Sequence, residues 1–179
     1  ITFKTQKQNV IDGLSRLDVI LSKFYVLLGL SIAITLYIFV LGLVFGAIYS
    51  RGGSVFSGID NVLFFFIQTL GILSLALLLG VLIRISSLSI LAYIFIFFFL
   101  GIIIEESAGE VIAQWMPTNM LADLTPFPLY DDINAMQRMA DPTMEVIKDI
   151  NPWIRVLICA FYTGGFIVLS FFTMKNRDL

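Results

Sequence analysis

Four long apolar runs divide the chain, at 24–50, 61–83, 85–104 and 156–174, and none contains an acidic or basic residue. Crossing a hydrocarbon core of roughly 30 Å takes about 20 helical residues, so each run is at or near the length of a span. The pattern predicts an all-α, polytopic transmembrane helical bundle with four spans, forming a single membrane domain over 1–179. Upstream of the first span, Val10, Leu14, Leu17 and Leu21 recur at helical spacing, with Asp12, Ser15, Arg16 and Ser22 around the rest of the helix. Residues 1–23 therefore read as an amphipathic segment leading into the membrane. Either it lies in the lipid head groups as an interfacial anchor, or it docks a cytoplasmic partner.

The stretch 105–155 is the one sizeable polar excursion. Ala108, Val111, Ile112 and Trp115 have helical spacing and Pro117 is expected to stop that helix; Pro126 and Pro128 hold a turn. Ile133, Met136, Met139 and Met144 suggest a second helix, interrupted at Pro142, and Pro152 restarts the chain as a helix. Both short helices are expected near the outer interface, where Trp115 and Trp153 suit an aromatic belt.

Composition agrees with the pattern: 59% of residues are hydrophobic and mean hydropathy is +0.96. The formal net charge of −2 and the scattered basic residues give no cationic face for nucleic acid. Charge also suggests orientation. With a cytoplasmic N-terminus, Lys4, Lys7, Arg16, Lys23, Arg84, Lys175 and Arg177 lie inside, against Arg51, Arg138, Lys148 and Arg155 outside. This bias places both ends of the chain in the cytoplasm and 105–155 outside. Arg84 sits between two runs: buried in the membrane it would mark a transport pathway, but each run is long enough to span by itself, which favours a short cytoplasmic hairpin with its side chain snorkelling to the head groups.

Within the runs, Gln68, Thr69 and Ser74 either line a polar path or bond to a neighbouring helix, the latter being the commoner use of such residues. Gly42 and Gly46 make a small-xxx-small pair that lets helices approach. Cys159 lies in the last run and reads as a small apolar residue. Glu105, Glu106 and Glu110 have the composition of a hard-cation site, yet more commonly such a cluster is a solvated helix start. Histidine is absent, no Gly-x-x-x-x-Gly-Lys phosphate loop occurs and no run contains an acid, so no catalytic or cofactor role is assigned to the chain.

One segment is more specific. Thr5-Gln6-Lys7-Gln8-Asn9-Val10-Ile11-Asp12-Gly13-Leu14-Ser15-Arg16, followed by Lys23 and a long span, resembles the cytoplasmic coupling segment of ABC type-2 transporter permeases. Lys175-Asn176-Arg177-Asp178-Leu179 is similar to the basic tail on which many members end. The resemblance implies a permease of six spans, of which this chain holds the last four. The isoleucine at position 1 and the polar lead agree with an incomplete N-terminus. It further implies a separate cytoplasmic ATPase that binds ATP, a second permease copy or paralogue, and a bacterial inner membrane. Val10, Ile11 and Leu14 would be buried in the ATPase and Asp12 and Arg16 would set register, with Gly13 and Ser15 completing the motif. A membrane scaffold or assembly factor is the rival reading, since four spans and an interfacial helix suffice for it.

Overall fold

The computed structural model of the chain describes residues 16–49, 58–83, 85–125, 136 and 150–175. Among these there is no strand. The helices are α1 (Arg16–Tyr49), α2 (Asp60–Leu82), α3 (Ser86–Phe98), α4 (Leu100–Ala108), α5 (Glu110–Ala113), α6 (Pro117–Ala122) and α7 (Pro152–Lys175).

Three of them are long and apolar enough to cross a membrane: Asp18–Tyr49, Asp60–Leu82 and Pro152–Lys175. The expected third span over 85–104 is not one straight helix. It is the pair α3 and α4, bent by 41° at Phe99, and the span count reaches four only if that pair is one broken span. Gly101 lies two residues past the bend, with the Asn119 side chain against it. Where α2 turns into α3, Ile83 and Ile85 are extended and Gly80 approaches Ser89, so the two helices form a hairpin; Arg84 lies outside the described residues.

The bundle is built on α2 against α7, with α1 packed on both. Its seams are small hydroxyl residues. Ser31, Thr35, Ser74, Thr163 and Ser170 are all buried, and each donates to the carbonyl four residues back in its own helix. Lipid supplies no hydrophobic force between helices, so close approach over small side chains is what holds them. The outward faces are apolar: Tyr25, Leu36, Phe45 and Ile48 on α1 are exposed, and α3 buries no residue at all.

Both ends of the bundle carry a core. At one end Val19 and Ile20 of α1 pack with Val81 of α2 and Met174 of α7. At the other, Phe64 of α2 and Val156 and Cys159 of α7 pack with Met120, Leu121 and Leu124, which belong to α6 and the turn after it.

Several expected boundaries move. Residues 16–23 are not a helix apart from the first span but the opening turns of α1, whose 34 residues span about 50 Å. Among the side chains described there, Val19 and Ile20 are buried and Leu21 is half-buried, because the ends of α2 and α7 select the contact face; the Leu17 side chain lies outside those described. The last span begins at Pro152, where Asn151 caps it by accepting from the Trp153 N–H at 3.0 Å.

The expected helix from Glu105 to Trp115 is divided at Gly109, whose φ of +90° suits glycine. Pro117 does not stop a helix; it starts α6, because proline needs no donor at the first helical position. α6 packs against the bundle, with Leu121 fully buried. The positions Pro126, Pro128, Ile133, Met139, Pro142 and Met144 lie outside the described residues.

Candidate functional site

The most developed site is where α6 enters the bundle. A helix of 6 residues forms almost no internal ladder, and its last carbonyls have no partner within it. In apolar surroundings each such carbonyl costs several kcal/mol unless another group reaches it.

Here every one is reached. Asn119 O accepts from the Asp123 N–H at 2.9 Å and Leu121 O from the Leu124 N–H at 3.4 Å. Spans provide the rest. Cys159 Sγ of α7 donates to Met120 O at 3.3 Å, Gln68 Nε2 of α2 to Ala122 O at 3.2 Å, and Arg155 Nη1 of α7 to Asp123 O at 2.7 Å. Thr125 Oγ1 donates to Gln68 Oε1, so the amide is used at both of its ends. The approach to α6 is fixed similarly: Tyr162 Oη donates to Trp115 O at 2.9 Å, and Asn119 Nδ2 to Ala113 O at 3.0 Å.

Packing requires small residues beneath. A Cβ added to Gly71 would meet Leu121 Cδ2 at 2.5 Å and Thr163 Oγ1 at 2.8 Å, so glycine is what admits Leu121 between α2 and α7. Gly71 is 11 residues after Asp60, which puts it about 16 Å along α2 from that end. A Cβ on Gly101 would likewise meet Asn119 Oδ1 at 2.5 Å. The Thr118 hydroxyl is buried and makes no hydrogen bond. Outside this site, Trp153 meets Phe64 edge-on at 5.5 Å, closing the end of the α2–α7 seam.

The residues read from the sequence fall in different places. Gln68 belongs to this site. Thr69 donates to Phe65 O and Ser74 to Leu70 O, each within its own helix, and Ser74 sits in the fully buried seam. Val10, Ile11, Asp12, Gly13, Leu14 and Ser15 lie outside the described residues; Arg16 is the first residue of α1. Gly42 has open space where a Cβ would stand, and it lines an open-sided cleft of about 230 Å³ between α1 and the start of α2, with Thr35, Phe39, Asn61, Phe65 and Thr125. Glu105 and Glu106 are exposed at the end of α4, and among the described residues no three metal-ligating side chains gather.

Sequence reasoning missed Gly71, Asn119, Arg155 and Tyr162 as parts of one site. Pro117 was the available sign, because a proline followed at once by Met120, Leu121 and Leu124 suits a helix start as well as a stop.

The family described as Protein of unknown function (DUF2705) matches residues 1–179, and the chain belongs to it. No curated protein and no solved structure matches the chain.

The two neighbouring polar residues of α2 should separate on substitution. Gln68→Leu removes two bonds that tie Ala122 and Thr125 to α2, and should cost about 1–2 kcal/mol of stability. Thr69→Val loses only a bond within its own helix and should stay within about 0.5 kcal/mol. Unfolding midpoints in mild detergent check the contrast; equal losses would contradict it.

Proposed function

We propose that this member of the DUF2705 family is the membrane-spanning permease subunit of an ATP-binding cassette transporter. It does no chemistry itself. A separate cytoplasmic ATPase binds ATP, docks on the segment around Val10, Ile11 and Leu14, and moves the spans, with a second permease copy or paralogue completing the path. One observation carries this reading: α1 runs unbroken from Arg16 to Tyr49, and its first turns are packed, through Val19 and Ile20, onto the ends of both α2 and α7. A force applied at Arg16 would reach all three central helices through that packed end. An interfacial anchor has no need of that continuity.

The same reading sets the orientation. Lys23 and Lys175 share the end of the bundle that carries Val19, Val81 and Met174, while Asp60, Glu105, Glu106 and Asp123 lie toward the end that carries α6. Excess lysine and arginine mark the cytoplasmic side. We therefore assign both ends of this chain to the cytoplasm and α6 to the outer half of a bacterial inner membrane.

Two experiments test the proposal. Leu14→Asp puts a charge into an apolar docking groove and should cut recovery of the co-expressed ATPase at least tenfold, about 1.4 kcal/mol of association, while the spans still insert. Equal recovery at matched membrane levels would contradict docking and favour a scaffold. For orientation, in a Cys159→Ser background, an impermeant maleimide added outside should label Glu106→Cys and spare Ser15→Cys; the reverse pattern would invert the assignment.

A further inference from the structure

Two features of the α6 site are unusual together. The bonds that hold α6 run from side chains of the spans to its main-chain carbonyls, whereas the hydroxyls along the α2–α7 seam are satisfied inside their own helices. Ser74, Thr163 and Ser170 donate to Leu70, Cys159 and Phe166 and owe nothing to α6. The seam thus keeps its own hydrogen bonds when α6 leaves. Conversely, the polar groups released by its departure are ones that water can hydrate: the Gln68 amide, the Arg155 guanidinium, the Tyr162 hydroxyl, and the carbonyls of Trp115, Met120, Ala122 and Asp123. The seated state also carries a standing cost, because the buried Thr118 hydroxyl makes no hydrogen bond while α6 is in place.

We infer that α6 is a displaceable plug, latched by Gln68, Arg155 and Tyr162, whose withdrawal opens to water a recess floored by Gly71, Cys159 and Thr163. Gly109, at φ +90°, and the short α5 give the chain a joint between the plug and α4. The recess reaches deep, since Leu121 seats against Gly71 of α2 and Thr163 of α7. The inference does not rest on the ATPase assignment, because the latch needs only residues of this chain.

The chain carries its own reporter. Cys159 is the single cysteine, it is fully buried, and its thiol is held against Met120 O beneath α6. Reaction of Cys159 with a small, water-soluble methanethiosulfonate reagent in native membranes reads plug withdrawal directly. Gln68→Leu and the nearly isosteric Tyr162→Phe should each raise the modification rate about tenfold over wild type. Ile20→Ala, which loosens the opposite end of the bundle against Val81 and Met174, should leave the rate unchanged. The proposal is overturned if neither latch variant speeds modification, or if Ile20→Ala speeds it as much, which would make the exposure a general loosening. It is also overturned if wild-type Cys159 reacts as fast as in detergent-denatured protein. A fast reaction in the latch variants with normal ATPase recovery supports the plug whatever the outcome for Leu14→Asp.

Discussion

The arrangement depends on one constraint: the last main-chain carbonyls of a six-residue helix have no partners within it, and those of α6 are met by donors from outside. Gln68, Arg155 and Cys159 meet that need from two spans, and Tyr162 holds Trp115 just before the helix. Their placement explains features that otherwise look unrelated. Glycine stands at position 71 because Leu121 occupies the space of its side chain. The only cysteine is buried facing a carbonyl, and Arg155, a charge on the fourth residue of α7, lies where it reaches the C-terminal end of α6.

The remainder of the bundle obeys a different rule. Between α1, α2 and α7, no polar group reaches for a partner across the seam at Ser31, Thr35, Ser74, Thr163 or Ser170; each hydroxyl turns back on its own helix. Contact there is a matter of size alone. A bundle made this way can tolerate changes at the α6 end without losing its main seam, and it binds α1 to the other two helices at the end nearest the proposed ATPase. The two ends are thus suited to different work: a packed apolar joint at one, a hydrogen-bonded insert at the other.

Much of this architecture was legible in the hydrophobic pattern. Uncharged runs over 24–50, 61–83 and 156–174 mark α1, α2 and α7 to within a few residues at most ends, because in lipid the absence of charge over about 20 residues leaves little alternative. Where periodicity competes with tertiary contact, the pattern misleads. Arg16 and Lys23 suggested a boundary before the first span, yet α1 runs through both, since a charge in the first two turns can face the head groups. The run 85–104 carries no local sign of the bend at Phe99, which coincides with the approach of Asn119 to Gly101 from a segment nearly twenty residues away. Pro117 fits either a stop or a start, and only the burial of Met120 and Leu121 decides. Of the candidate residues in α2, Gln68 joins a site because its amide reaches a carbonyl 54 residues distant; no local spacing encodes that.

Amide hydrogen exchange in lipid nanodiscs tests the central claim, that α6 is seated within the bundle and not on its surface. The amides of Met120 and Asp123 donate to Met116 O and Asn119 O, so their exchange should be far slower than that of an exposed turn, yet faster than that of amides in the middle of α2, because on this account α6 withdraws while the α2–α7 seam stays closed. Exchange of those two amides at the rate of an exposed interfacial turn would contradict the account.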